Sequence, residues 1–261
     1  MKVSTTSTTL EQYARFHSLA LVESDRVGIG TRIWPYTHIM EGAVIGANCN
    51  IGSHCFVESG AVIGDRVTVK NGNHLWEGVK LEDDVFVGPG VCFTNDRYPR
   101  SPRLPIAAGR YASKAWLMNT VVKRGASVGA GAVILPSVTL GAYCMIGAGA
   151  VVTTDVKPHA LMAGNPARQL GWVCRCGLPL KIPGEHQDVS DSGGDSALGP
   201  SRDGHSHQGP DLAVSGEVLS GHAQRLLNTG LERVVVGCIG CGDSYRIEGG
   251  NVRLIASSND F

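Results

Sequence analysis

The chain has 261 residues, 43% of them hydrophobic, which is enough to bury a core in one or two domains. Lys and Arg together number 23, as do Asp and Glu, and neither sign forms a long block. This balance provides no electrostatic footprint for nucleic acid or an anionic membrane, so we expect a small-molecule partner. No stretch has transmembrane length and the first twenty residues lack a signal-peptide pattern, so we expect a cytoplasmic location.

Residues 1–20 precede the regular part of the chain and are interpreted as a lead-in. They begin with a run of Thr and Ser that has no periodic pattern. We predict a short helix across Leu10 to Ala20, which would cap the open end of the repeat that follows.

From Leu21 the chain repeats every six residues. Every sixth residue is apolar from Leu21 to Phe93 and again from Val122 to Val152, and glycine often follows it directly. So short a period predicts a parallel β-helix, an all-β fold in which stacked coils supply the core that no single coil can bury. With three hexads to a triangular coil, we expect about six coils and a prism roughly 30 Å long.

The repeat loses its register once. Phe93 and Val122 are 29 positions apart, which is not a multiple of six, so residues 94–121 must leave the prism as a loop. This segment contains three prolines and several basic side chains. Long excursions from a regular scaffold are usually functional or disordered, and we interpret this one as a flap over a polar ligand.

The composition changes after the repeat, which ends at Pro158, and we assign residues 21–172 to the β-helix domain. Residues 183–218 are rich in Gly, Ser, Asp, His and Pro, the composition of a linker or disordered insertion. Residues 219–261 complete a small C-terminal module. Its predicted elements are a short helix at Ala223 to Asn228 and strands at Leu231 to Val236, Ser244 to Ile247 and Asn251 to Ile255.

Four of the eight cysteines lie on predicted coils, where a reduced cysteine behaves as a small buried apolar residue. These are Cys49, Cys55, Cys92 and Cys144.

The other four cysteines form two tight pairs, each followed by a glycine. The pairs are Cys174-x-Cys176 and Cys238-x-x-Cys241. Four thiolates in two such knuckles are the ligand set of a structural tetrahedral zinc site. We predict a zinc-ribbon-like module whose first knuckle lies in residues 173–182; redox-active or unpaired cysteines are the alternative.

Three stretches resemble the acetyltransferases that act on nucleotide-linked 3-amino sugars. They read NGNHLWEGVKLEDDVFVGPGVCFTNDRYPRS, VKRGASVGAGAVI, and IGAGAVVTTDVKPHALMAGNPARQLGWVCRCG. The resemblance is to the UDP-2-acetamido-3-amino-2,3-dideoxy-glucuronate N-acetyltransferase family of surface-polysaccharide pathways, over roughly residues 27–177. It implies a left-handed coil, a homotrimer, acetyl-CoA between neighbouring prisms and a nucleotide-linked amino sugar beneath the loop.

The predicted active site lies where the loop departs. Residues 18 apart stack in neighbouring coils, so Asn95 should lie on Glu77. Asn95, in the motif FTN, matches the family asparagine that orients the sugar amine, and an amide cannot act as a base. His74 stands where the family more often has a small polar residue. It is interpreted either as a general base or as a surface histidine that only stacks.

The resemblance also suggests which residues meet the two substrates. On the sugar side they are Asn71, Glu77, Asn95, Tyr98 and Arg100. On the CoA side they are Lys123, Lys157 and Arg168 near phosphates, with the backbone of Gly147 and Ala148 along the pantetheine arm. Asn71 is equally interpretable as a turn or ladder residue, and a lone Lys or Arg on a solenoid as a solvated charge.

The sequence therefore predicts an acetyl-CoA-dependent N-acetyltransferase for a nucleotide-linked 3-amino sugar. Two alternatives remain open. One is another hexapeptide acyltransferase, acting on a 4-amino sugar or with a different acyl donor. The other is a non-catalytic β-helix scaffold with the zinc module as its binding part.

Overall fold

The computed structural model describes residues 13–182 and 233–257, which form 24 strands numbered here in chain order. The predicted parallel β-helix is confirmed: three parallel sheets form the faces of a prism. The linker at 183–218 and the helix at Ala223 to Asn228 lie outside the described residues. Among the described helices, none is long and apolar enough to cross a membrane.

The first face is a nine-stranded sheet, parallel except for its last pair. Its strands are Arg15–Phe16 (β1), Arg32–Ile33 (β3), Asn50–Ile51 (β6), Thr68–Val69 (β9), Phe86–Val87 (β12), Ser127–Val128 (β15), Met145–Ile146 (β18), Ala160–Ala163 (β20) and Arg168–Trp172 (β21).

The second and third faces have seven and five strands. The seven are Leu21–Val22 (β2), His38–Ile39 (β4), Phe56–Val57 (β7), His74–Leu75 (β10), Cys92–Phe93 (β13), Val133–Ile134 (β16) and Val151–Val152 (β19). The five are Val44–Ile45 (β5), Val62–Ile63 (β8), Val79–Leu81 (β11), Thr120–Val122 (β14) and Thr139–Leu140 (β17).

The aliphatic residue of each hexad points inward and is buried. Ile39, Ile51 and Val57 are fully buried, and each pairs with the residue 18 positions further along or back in a neighbouring coil. The glycine that often follows is required by close approach between coils. A Cβ built on Gly46 would lie 2.5 Å from the carbonyl carbon of Gly64, and one on Gly129 would lie 2.5 Å from the nitrogen of Ala148.

The register predicted for the first coil is wrong by one residue. Leu21 is 54% exposed, and its neighbour Val22 pairs with Ile39, only 17 positions away. The corner between Val22 and Val27 is therefore one residue short. Ser24 occupies it, buried, and its hydroxyl donates to the carbonyl of Ala43 at 2.7 Å.

Both ends of the prism extend further than predicted. The helix expected across Leu10 to Ala20 is wrong where it is described, because Arg15–Phe16 is a strand paired with Arg32–Ile33. The repeat also continues past Pro158, since Ala160–Ala163 pairs in parallel with Met145–Ile146. These additions make the coil stack longer than the six coils expected.

The loop that interrupts the repeat is shorter than its predicted bounds. Thr94 still hydrogen-bonds to Ile134 of the next coil, and Thr120 already pairs with Val79, so the excursion comprises about residues 96–117. It contains one short helix, Pro105–Ala108 (α1), and two 3₁₀ turns, Gly109–Tyr111 and Lys114–Trp116.

The cysteines of the coils divide by the face they occupy. Cys49, Cys55 and Cys144 are buried as expected, and burial raises the pKa of the Cys144 thiol to about 12. The prediction that Cys92 is buried is wrong. Cys92 is exposed because it occupies the outward position of its strand, directly beside His74.

The C-terminal module is a three-stranded antiparallel sheet that closes the end of the prism. Its strands are Val234–Gly237 (β22), Ser244–Glu248 (β23) and Asn251–Ala256 (β24), close to the predicted runs. Tyr245 and Ile247 belong to the same hydrophobic core as Trp172 of the last prism strand. The module therefore packs on the scaffold.

One buried amide ties two neighbouring coils together beside the predicted site. The side chain of Asn73 is fully buried, and its Nδ2 donates to the carbonyls of Lys70 and Gly88 at 2.6 and 2.9 Å. Its Oδ1 accepts from the backbone of Val91 at 2.9 Å. A polar group at this depth is tolerated because its Nδ2 and its Oδ1 are both hydrogen-bonded.

We expect Asn73→Ala to lower the free energy of unfolding by about 2–4 kcal/mol, because it strands buried backbone groups as well as losing the bonds. Asn50→Ala is the matched control, since within the described part of the chain the Asn50 side chain only accepts a bond from the exposed Trp34 indole, and it should cost less than about 0.5 kcal/mol. Chemical denaturation followed by circular dichroism measures both. Equal costs for the two variants would contradict a coil-tying role for Asn73.

Candidate active site

Outward-facing side chains of the seven-stranded sheet form a column. His38, Phe56, His74 and Cys92 pair in successive coils, as the 18-residue spacing predicts. The exposed His74 ring meets Phe56 edge-on at 6.4 Å and lies 5.5 Å from the Trp76 ring. Within the described part of the chain its imidazole makes no hydrogen bond, so both ring nitrogens remain available to a ligand.

The corner after this column is where the loop leaves the prism. Asn95 lies on Glu77, and its Nδ2 donates to the Glu77 carbonyl at 3.2 Å. The Glu77 backbone N–H in turn donates to the Glu58 carboxylate at 2.7 Å. The returning chain closes the same corner, since the Met118 N–H donates to the Asn95 carbonyl at 3.0 Å. Asn95 is thus fixed by both stems of the loop.

The loop is also pinned to the prism by an ion pair. Lys114, in the second 3₁₀ turn, donates to Oε1 of Glu77 at 2.5 Å. The Lys114 side chain is 72% exposed, so the pair contributes little to stability, on the order of 0.2–1 kcal/mol. Glu77 therefore joins the loop to Asn95 with its carboxylate on one side and its carbonyl on the other.

Asp96, which sequence analysis missed, organises the loop from within. Its nearly buried carboxylate accepts from the Tyr98 N–H at 2.9 Å, from the Tyr111 hydroxyl at 2.8 Å and from the Arg110 guanidinium. Burial opposes ionisation, yet these donors outweigh it and hold the pKa of Asp96 below its usual range. The sequence signal that could have identified Asp96 is its position directly after the FTN motif.

Two of the predicted sugar-side residues, Tyr98 and Arg100, lie on the loop itself. Tyr98 is 69% exposed, and its carbonyl accepts from Arg110. The Arg100 N–H donates to the Tyr111 hydroxyl at 2.9 Å, which leaves its side chain at the surface. The Asp96 network therefore holds the backbone of both residues and leaves their side chains accessible.

Asn71 has a ladder role in this structure. Its Oδ1 accepts from the Ser53 N–H at 3.1 Å. Asp65 and Asp83 do the same for the coils below them, accepting from Ala47 and Asp65 at 2.8 and 3.0 Å. The amide oxygen of Asn71 is thus one member of a series of turn acceptors, and only the rest of its side chain faces outward.

The predicted CoA residues divide between two corners of the prism. Gly147 and Ala148 follow strand β18, and Gly147 lies against Ala163, the residue that pairs with Arg168. Gly147, Ala148 and Arg168 therefore lie at the same corner of the prism.

Lys123 and Lys157 share a different corner. Each follows the last inward residue of its coil, and each already has a partner. Lys123 donates to Glu82 at 2.9 Å, which lowers the pKa of that carboxyl, and Lys157 donates to the carbonyl of Gly250 in the C-terminal sheet at 2.9 Å.

The four tail cysteines converge. The Sγ atoms of Cys174, Cys176, Cys238 and Cys241 all lie within 4.8 Å of one another. Contacts of 3.3 Å for Cys174 with Cys241, and 3.5 Å for Cys176 with Cys238, cross between the two knuckles. Tetrahedral zinc with bonds of about 2.3 Å needs sulfurs about 3.8 Å apart, and a disulfide needs about 2.05 Å. The donor set therefore fits zinc.

Buried polar groups that sequence analysis missed support this cluster. The Arg175 guanidinium forms an ion pair with the fully buried Asp243 carboxylate: Nε lies 2.5 Å from Oδ2, and Nη2 donates to Oδ1 at 3.1 Å. The buried hydroxyl of Tyr245 lies 3.1 Å from Sγ of Cys174, and its ring meets His159 of the prism edge-on at 5.3 Å. Burial lowers the pKa of His159, so it packs as a neutral ring. The cluster is thereby coupled to the end of the helix.

The chain resembles known acyltransferases over its repeat. Residues 26–59 and 119–154 match the bacterial transferase hexapeptide (six repeats) family. Over 166 residues the chain is 50% identical to a dTDP-3-amino-3,6-dideoxy-α-D-galactopyranose 3-N-acetyltransferase of Aneurinibacillus thermoaerophilus, covering 64% of this chain and 82% of the relative. A chloramphenicol acetyltransferase of Agrobacterium fabrum (strain C58 / ATCC 33970) is 31% identical over 46% of this chain and 49% of its own.

Solved structures with similar coils are more distant. The acetyltransferase domain of PglB from Neisseria gonorrhoeae FA1090, in complex with acetyl coenzyme A, is 22% identical with a TM-score of 0.44, over 61% of this chain and 58% of that one. At a TM-score below 0.5 this neighbour says nothing about function. The relationship rests on the galactose-type relative, of which this chain spans most of the length. The chain belongs to the hexapeptide-repeat nucleotide-sugar N-acetyltransferases.

Proposed function

We propose that this protein transfers the acetyl group of acetyl-CoA to the 3-amino group of a nucleotide-linked deoxy sugar. The observation that carries the proposal is the fixed amide of Asn95 at the mouth of the loop. Its Nδ2 donates to the Glu77 carbonyl, and Asn95 follows the strand that pairs with His74. The relative that is 50% identical is named for a 3-N-acetyl transfer to a dTDP-linked sugar, which favours a 3-amino over a 4-amino acceptor.

The proposed reaction is direct. The lone pair of the neutral sugar amine attacks the thioester carbonyl carbon, and a C–N bond forms. The tetrahedral oxyanion then collapses, the C–S bond breaks and CoA leaves as a thiolate. The amine nitrogen must lose one proton, which passes to a base or to the departing sulfur. Asn95 holds the amine in line for the attack, a contribution of position and not of proton transfer.

We assign the proton to His74. Its ring is exposed, free of hydrogen bonds within the described residues, and borders the corner where Asn95 lies. The contacts with Phe56 and Trp76 orient the His74 ring, and its nitrogens, which make no hydrogen bond within the described residues, can accept a proton. The competing interpretation is a stacking histidine, with the thiolate as the only proton acceptor.

The remaining substrate contacts follow from the two groups of residues. On the sugar side, Glu77 lies at the mouth of the loop, Tyr98 and Arg100 are exposed on the loop, and Asn71 contributes only the part of its amide left by the ladder. On the CoA side, Gly147, Ala148 and Arg168 form one corner, and Lys123 and Lys157 another. A homotrimer in which CoA lies between two left-handed prisms would bring both corners to one cofactor, so trimer and handedness belong to the proposal.

The tail cysteines are proposed to hold one structural zinc ion. Cys174, Cys176, Cys238 and Cys241 supply four sulfur ligands, which leave the metal no open position for catalysis. The metal would fasten residues 173–182 to the module formed by residues 219–261, of which residues 233–257 are described. Tyr245 and the Asp243–Arg175 pair would then seal the last coil.

Acetyl transfer to a dTDP-3-amino-3,6-dideoxyhexose should occur with release of one thiol per turnover, measured with a thiol reagent. Asn95→Ala should lower kcat/KM about 100-fold, because the amine loses its alignment. The matched control is Asn119→Ala, an exposed asparagine where the loop returns, which should keep wild-type activity. No turnover of any 3-amino sugar by the wild type would refute the function, and an active Asn95→Ala enzyme would refute the role of the amide.

His74→Gln should lower kcat about 100-fold if the imidazole takes the proton, since general bases contribute about 10²–10⁴. The pH profile of kcat should differ between the wild type and the variant, because only the wild type carries the imidazole that takes the proton. His54→Gln, at an outward histidine that stacks on Tyr36 at 4.9 Å, is the control. An unchanged rate and profile for His74→Gln would leave the thiolate as the acceptor.

Purified protein should contain about one zinc per chain, by metal analysis, because four thiolates complete the coordination. Cys238→Ser should lose the metal and expose the tail to limited proteolysis while the prism keeps its circular dichroism. Cys92→Ser, at a cysteine outside the cluster, should retain zinc. Metal-free wild-type protein with a protected tail would show that the cysteines need no ion.

A further inference from the structure

Two arginines face each other on the outer side of the C-terminal sheet. Arg246 of β23 pairs directly with Arg253 of β24. Within residues 13–182 and 233–257 neither guanidinium has a hydrogen-bond or ion-pair partner. Like charges directly opposite one another destabilise a sheet, so the pair raises the question of what compensates it.

A groove runs between these side chains. Arg246, Glu248, Asn251 and Arg253 line an open space of about 220 Å³. The Nε atom of Arg246 is buried there without an acceptor. A buried charged donor that lacks a partner costs more than a neutral one. An anion in the groove would bind the guanidinium groups that line it and compensate the two like charges.

The lining selects the chemistry of the anion. Paired guanidinium groups bind phosphate by parallel N–H···O bonds. The carboxylate of Glu248 repels a bare anion but accepts hydrogen bonds from hydroxyl groups, so the set suits a phosphoryl group attached to a sugar. Pockets for drug-sized ligands measure about 300–1,000 Å³, so the smaller groove accommodates a phosphorylated ribose and not a whole nucleotide sugar or CoA.

The groove adjoins the scaffold. The turn between β23 and β24 rests on Lys157, whose Nζ donates to the carbonyl of Gly250, next in sequence to Asn251. We propose that this groove binds the phosphorylated ribose of a nucleotide cosubstrate, presented at the end of the prism by the C-terminal sheet. The identification of the ligand as a cosubstrate rests on the proposed function. The binding of a phosphorylated ribose in the groove does not depend on it.

The test is direct binding to the full-length protein at low salt, by isothermal titration calorimetry. Adenosine 3′,5′-bisphosphate represents the CoA nucleotide, UDP and dTDP the sugar nucleotides. We expect Arg246→Gln and Arg253→Gln each to raise the Kd of one of the two classes at least tenfold and to leave the Kd of the other class unchanged. Arg233→Gln removes an exposed charge of the same module outside the groove and should leave Kd unchanged. Added salt should weaken binding to the wild type.

Steady-state kinetics of the same variants identify which cosubstrate supplies the phosphorylated ribose. If the CoA nucleotide is bound, the two variants raise KM for acetyl-CoA and leave kcat unchanged; if the sugar nucleotide is bound, KM for the sugar rises instead. Their thermal midpoints without nucleotide should equal or exceed that of the wild type, because a like-charge pair is removed. Wild-type Kd values in both variants, or no binding by any of the probes, would overturn the proposal. Binding without acetyl transfer would count against the proposed function alone.

Discussion

The structure depends on one constraint: each coil must bury its aliphatic residues against the coil below, with backbone groups paired 18 residues apart. Ile51, Val69 and Val87 meet this condition on one face and are completely buried. Because no coil has a core of its own, an insertion is tolerated only where the chain leaves and re-enters at matching positions. The segment between Asn95 and Met118 does so, and their backbone hydrogen bond closes its base.

That constraint also determines where chemistry is possible. Stacking turns single residues into columns, so Asn95 on Glu77 and His74 on Phe56 are consequences of register rather than of local sequence. The loop adds groups that the prism cannot provide, above all the Asp96 carboxylate with its Tyr111 and Arg110 donors. The far end of the prism would otherwise be an exposed coil. It is covered by the cysteine cluster together with Tyr245, which packs on His159.

The repeat made most of the fold predictable, because a six-residue period leaves few alternatives. It misled at Leu21, where one deleted residue moves Val22 inward, and at the ends of the prism, where strands β1 and β20 lie outside the six-residue repeat. The site was predictable only as far as stacking reached. Asp96, Arg110 and Arg175 were not found, because their partners come from irregular segments whose path the hexads do not determine. Asn71 was recognised as ambiguous, and the ladder of Asp65 and Asp83 gives it a structural role.

The central claim is that the register break turns the scaffold into an acetyl-transfer site. The most direct measurement is a crystal structure with CoA and a nucleotide-linked 3-amino sugar. The account predicts the sugar amine within hydrogen-bonding distance of the Asn95 side chain, beneath residues 96–117, with His74 facing the same nitrogen. A sugar bound at another corner, with Asn95 still engaged only by Glu77, would contradict it.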